Sequence, residues 1–118
     1  MRRLFRRIAA LVVTVYANRI YKQAVENADK RHKAEKVMIY VASATFQPDK
    51  LVTYDRWQFK AEKATFGYLA RRLTLQTMKA GCYYHTADTA GNQAMTDREK
   101  ERRRLAFIRE RLMKAKLL

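Results

Sequence analysis

Val37-Met38-Ile39-Tyr40-Val41 and Leu51-Val52-Thr53-Tyr54 decide the class of this chain. Both are short apolar runs rich in β-branched and aromatic residues, which suit a pleated, covered surface better than a helix face. The first run does not alternate with polar residues, so it reads as a strand covered on both faces. Residues 42–50 between the runs hold Pro48, the only proline, followed by Asp49, and read as a loop. The two runs then pair as an antiparallel hairpin. Farther on, Cys82-Tyr83-Tyr84-His85-Thr86 reads as a third strand.

Helical periodicity surrounds these runs. From residue 4 to about residue 34, Leu4, Ile8, Leu11 and Val15 recur at three- and four-residue steps, and Phe5, Val12, Tyr16 and Ile20 widen the stripe. After Val25 the sequence turns polar, so the distal half of this long helix is expected to project into solvent. Asp55, with Gln58 three residues on, predicts a capping box: each side chain can satisfy an orphan amide of the first turn. The helix behind it should carry Phe59, Phe66, Leu69 and Leu73 inward. Thr74 then caps a short helix over 75–80 that Gly81 ends in a left-handed conformation. Residues 87–95 read as a loop. Thr96-Asp97-Arg98-Glu99 is a second capping box, with acids where the helix dipole favours them. Leu105, Ile108 and Leu112 form its stripe, and Glu99 to Arg103 and Glu110 to Lys114 are favourable i,i+4 pairs. The order α-β-β-α-α-β-α predicts an α+β fold with a small antiparallel sheet of about three strands, a long N-terminal helix, a central helix and a C-terminal helix. A single domain is expected over 1–118, in three parts: a basic helix (1–36), the sheet with the central helices (37–95) and a second basic helix (96–118).

The chain carries 26 Lys and Arg against 11 Asp and Glu, a net charge of +15 on 118 residues. Its 48% hydrophobic content excludes a disordered basic tail. The charge is uneven: +7 over 1–36, +3 over 37–95 and +5 over 96–118. A core needs no net charge, and self-repulsion of this size has a cost, so a polyanionic partner is the expectation. Arg2, Arg3, Arg6 and Arg7 on the first helix, and Arg98, Arg102, Arg103, Arg109 and Arg111 on the last, are the candidate contacts to nucleic-acid phosphates. Arg98, Arg102 and Arg109 should share one face of their helix. No zinc finger, basic zipper or RNP-type strand motif is present, so DNA or RNA backbone, rather than base sequence, is the expected target. Tyr83 and Tyr84 could stack bases, but strand alternation puts one in the sheet and the other at its surface.

Catalytic chemistry finds little support. Cys82 and His85 suggest a nucleophile and a base, yet an odd step along a strand points them to opposite faces. His85 with Asp88 reads as a surface His beside a loop Asp, and His32 as solvated on a charged helix. One cysteine and two histidines supply neither a disulfide nor a four-ligand zinc site, and no Gly-rich phosphate loop occurs. The expectation is a non-enzymatic protein with no metal and no cofactor.

The N-terminus admits two further readings. The four arginines before an apolar run resemble a signal peptide or, without acids, a presequence. The helical pattern continues past Ala17 through Ile20, Ala24 and Ala28, which favours a retained structural helix. The apolar run is about ten residues, short of the ~20 that cross a bilayer, which leaves a membrane-surface helix as a lesser alternative. Leu4, Ile8, Leu11, Val12 and Val15 are the candidate partner interface, because a core this small leaves part of so broad an arc uncovered.

Lys36-Val37-Met38-Ile39-Tyr40-Val41, then Leu51-Val52-Thr53-Tyr54-Asp55-Arg56 with Phe59, then Cys82-Tyr83-Tyr84-His85-Thr86 and a charged helix opening at Met95-Thr96 make one pattern. In it the chain resembles small basic proteins of Bacteroidetes-type bacteria and their phages or mobile elements. The resemblance carries no activity with it; it implies a phage or mobile-element accessory protein. The expected function is therefore nucleic-acid backbone binding in the cytoplasm or in a virion. The alternative is a structural or assembly protein of a virion or other multichain complex, possible as a homo-oligomer, that uses its first helix as an interface.

Overall fold

Strand β1 (Tyr40–Ser43) lies between β2 (Leu51–Tyr54) and β3 (Tyr84–His85) and runs antiparallel to both. The structure, a computed structural model, describes residues 2–43, 50–66, 74–87 and 95–117. The fold is α+β. Four helices accompany the sheet among the described residues: α1 (Arg2–Glu35), α2 (Arg56–Phe66), α3 (Leu75–Gly81) and α4 (Asp97–Lys114). The expected loop around Pro48, Leu69 and Leu73, Asp88 and most of the loop before Met95 lie outside the described residues.

As the central strand, β1 is covered on both faces, which is why its sequence does not alternate. Ile39 and Val41 are fully buried on the face that meets α1. Tyr40 points the other way and stands between Tyr54 and His85 in register, all three buried. The strand begins three residues later than its apolar run. Lys36 closes α1 in the left-handed region (φ 57), and the Ile39 amide donates to Thr86 Oγ1 at 2.9 Å instead of to a strand carbonyl. The third strand is likewise shorter than its run. Cys82 and Tyr83 form a bend after α3, although the Tyr83 amide still reaches the Val41 carbonyl at 2.9 Å.

Helix α1 corrects the expectation about which half packs. Its buried residues are Ala17, Tyr21, Ala24 and Ala28; in the stretch after Val25 that reads as polar, Ala28 is buried and Arg31 and His32 are half-buried, so this end packs on the sheet along one side while its other residues are exposed. Three alanines on one stripe let the helix approach β1 and α4 closely, and the exposed charged residues of that end occupy the other faces. The N-terminal half, with most of the large apolar residues, is the exposed one. Arg31 fixes the distal end: its guanidinium donates to Glu35 (2.7 Å), Thr53 O (3.1 Å), Gln58 (2.9 Å) and Asp55 (3.2 Å). That clamp holds α1 to β2 and to the start of α2. The capping box there is reciprocal, Gln58 N–H to Asp55 Oδ1 at 2.7 Å and Asp55 N–H to Gln58 Oε1 at 3.0 Å. Phe59, one residue on, is buried as expected.

Gly81 is not a left-handed stop. It is the last residue of α3, a Cβ there would meet nothing within 4 Å, and the Cys82 amide continues the helical pattern to Met78 O. In α4, Thr96 caps Glu99 N–H at 3.2 Å, and Phe107 and Ile108 are buried. Leu105 is 52% exposed, so the inward stripe is Phe107, Ile108 and the half-buried Leu112. The C-terminus of α4 closes as a Schellman motif, with Leu117 N–H to Leu112 O (2.9 Å) and Lys116 N–H to Met113 O (3.0 Å). Lys116 takes the left-handed position (φ 57) that usually falls to glycine.

Candidate phosphate-binding surface

Helices α1 and α4 pack side by side in opposite directions. Arg104 Nη1 donates to Asn18 Oδ1 at 3.0 Å, and twelve residues nearer the start of α1, Arg6 Nη2 donates to the Lys116 carbonyl at 3.1 Å. A guanidinium at the carbonyl end of a helix is favourably placed for the helix dipole. This contact brings two basic segments that are far apart in sequence to one end of the molecule. Arg2, Arg3, Arg6 and Arg7 are exposed there, and so are Lys114 and Lys116. Residues 2–25 and 111–117 contain no carboxylate at all. A groove of about 330 Å³ between the helices is lined by Val12, Val13, Ala17, Arg111 and Lys114.

The nine arginines expected at the surface separate into distinct groups. Arg98, Arg102 and Arg109 are exposed on one face of α4, opposite Phe107 and Ile108, and Arg102 also pairs with Glu99 (3.1 Å). Arg111 is half-buried, its guanidinium 5.5 Å over the Phe107 ring. Arg103 turns inward. Its side chain is 11% exposed, and it donates to Lys79 O (2.9 Å), Cys82 O (2.8 Å) and Glu99 (2.9 Å). It caps the end of α3 from α4, a structural task that removes it from the outer surface. Arg102 and Arg103 together hold the Glu99 carboxyl down to about 2. Sequence alone marks neither Lys114 nor Lys116 as a phosphate contact; the pairing of α1 with α4 places them beside Arg6.

The remaining reactive groups are engaged in the fold. Cys82 is buried, its thiol 3.4 Å from the Lys79 carbonyl and 3.4 Å from Arg103 Nη1, and burial pushes its pKa up. It sits in the bend after α3, not in a strand. His32 is half-buried, with Nδ1 2.8 Å from Val37 O and 3.2 Å from Thr86 Oγ1, where a solvated side chain was expected. Tyr21 donates to Tyr83 O (2.8 Å) and Tyr84 to Asp29 (2.6 Å); Tyr83 donates to Glu110 and packs edge-on to Phe107. Burial pushes the Tyr21 and Tyr83 hydroxyls up to about 12. Among the described residues no group of three or more His, Cys, Asp or Glu is placed to hold a metal ion.

No family model, curated protein or solved structure matches the chain. Among the described residues no helix is long and apolar enough to cross a membrane.

His85 gives the fold an acid limit. It is 5% exposed, its Nδ1 lies 3.0 Å from the Thr86 carbonyl, and burial, then the nearby Arg103 and Lys79 charges, lower its pKa. The unfolded chain therefore binds this proton first, near the ordinary value of ~6.5, and stability is lost as pH falls below it. The urea midpoint should decline between about pH 7 and 5, above the carboxylate range, and His85→Gln should flatten that decline. A wild-type midpoint that is level over this interval would refute the assignment.

Proposed function

We propose that the protein binds the phosphate backbone of nucleic acid without strong sequence preference, as a non-enzymatic accessory protein of a phage or mobile element. The contact of Arg6 with the Lys116 carbonyl carries this reading, because it joins two basic segments whose own residues, 2–25 and 111–117, include no Asp or Glu. Arg98, Arg102 and Arg109 extend the charge along the outer face of α4. Guanidinium and ammonium groups so placed neutralise phosphates and release counterions, which gives affinity that depends on salt rather than on base sequence.

The test is fluorescence anisotropy with a labelled duplex and a labelled single-stranded RNA. If about four phosphates are neutralised, affinity should drop on the order of 100-fold between ~50 and ~200 mM salt. Replacing Arg3, Arg7 and Lys116 together by Glu should abolish most of that dependence. Affinity that is flat with salt, or unchanged in the triple variant, would sink the reading. A structural or assembly role is the second reading, favoured by the exposed apolar face of α1.

A further inference from the structure

Leu4, Phe5, Ile8, Leu11, Val12 and Val15 are 51–68% exposed on α1. At about 100° per residue they occupy one continuous arc, on the side of the helix opposite the buried Ala17, Tyr21, Ala24 and Ala28 stripe. The protein's own core cannot reach this arc, since turning α1 to cover it would uncover the stripe. Leu4, Ile8, Leu11 and Val15 follow steps of four, three and four, the spacing of a seam whose side chains interlock with those of a second helix. With Phe5 and Val12 beside it, the arc exposes on the order of 600 Å², at the lower end of what each partner contributes to a specific dimer.

Charge selects the orientation. Arg2, Arg3, Arg6 and Arg7 crowd the start of the helix, and a parallel pair would set eight guanidinium groups together. An antiparallel pair centred between Ala9 and Ala10, which sets Leu4 against Val15 and Ile8 against Leu11, instead lays each set of arginines beside uncharged residues 12–17 of the other copy, with opposed helix dipoles. A lipid surface would run on along the same side of α1, where the exposed Arg19 and Lys22 suit its headgroups and the exposed Glu26 does not, whereas the apolar arc itself ends near Val15, the length of a short helix seam.

We propose that two copies of the protein associate through the Leu4-Ile8-Leu11-Val15 seam of α1, antiparallel. The inference gives the assembly reading a definite partner and does not depend on phosphate binding. It is tested by sedimentation equilibrium in about 0.5 M salt, where nucleic-acid contacts are screened. The wild-type mass should be twice 14.0 kDa. Ile8→Glu and Leu11→Glu should each weaken association at least about 100-fold, since a buried carboxylate has no partner in the seam. Their helical circular dichroism and unfolding midpoints should be unchanged, because neither side chain belongs to the monomer core. Lys22→Glu, beyond the seam, should leave the dimer intact. A monomeric wild type, or an Ile8→Glu protein that remains dimeric, overturns the proposal. So does a monomer that instead co-sediments with anionic phospholipid vesicles, which would assign the face to lipid. Nucleic-acid binding by Ile8→Glu with an unchanged salt slope would show that the two surfaces are separate.

Discussion

Phe107→Ala is expected to cost about 3–5 kcal/mol of folding free energy, the usual range for deleting a well-packed aromatic. Phe107 is 2% exposed and lies where α4 meets both α1 and the bend before β3. Its ring stands edge-on to Tyr83 (5.1 Å between centroids) and tilted to Tyr21 (6.0 Å), with Arg111 over it. Truncation removes these contacts at once and leaves a cavity between three elements. A domain of this size has about 5–15 kcal/mol in total, so much of the margin would be gone. The measurement is a urea midpoint with an unchanged slope, compared with Leu105→Ala. Leu105 is exposed, and its truncation should cost less than about 0.5 kcal/mol. Equal costs for the two variants would mean that α4 is rotated from the position described.

Arg103→Ala is expected to cost about 3 kcal/mol, although the residue looks interchangeable with its neighbours in Arg102-Arg103-Arg104. The loss arises from what is left behind. The Lys79 and Cys82 carbonyls lose their charged donor, and Glu99 keeps only Arg102. Lys should not rescue the position, because one ammonium cannot reproduce a planar fork that serves two carbonyls and a carboxylate. Arg102→Ala should behave in the opposite way. Its pair with Glu99 is exposed, and exposed pairs contribute little, so stability should hardly move while phosphate affinity declines. A double comparison of unfolding and nucleic-acid binding separates the two roles. If Arg102→Ala proves the more destabilising, the inward placement of Arg103 is wrong.

The elements that could be read from sequence are those set by local chemistry. The Val37–Val41 and 51–54 runs give a hairpin because both are β-branched and short. Asp55 with Gln58, and Thr96 ahead of Glu99, announce helix starts through side chains that reach only three residues. Tertiary partners, by contrast, are hidden. Phe107 is inconspicuous because it is surrounded in helical space by Arg103, Arg104 and Arg111, whose aliphatic stems pack while their charges dominate the local sequence. The packing stripe of α1 is inconspicuous in sequence for a similar reason. Alanines at 17, 24 and 28 weigh little in hydropathy, yet they permit close approach, whereas the conspicuous leucines and valines of the first half face outward. The cluster proposed for phosphates was half legible. Its arginines stand out as charge runs, but Lys114 and Lys116 join them only through a contact spanning 110 residues.

That same pairing of α1 with α4 sets the order in which the chain can fold. The two helices touch through contacts 86 and 110 residues apart in sequence, so loop closure is costly and folding should be slow for so helical a protein. On the ribosome α1 is made first and must wait for α4, with the Tyr21 side of its stripe open until Phe107 arrives. An early α1 thus displays two sticky faces, and only one of them is closed by the rest of its own chain.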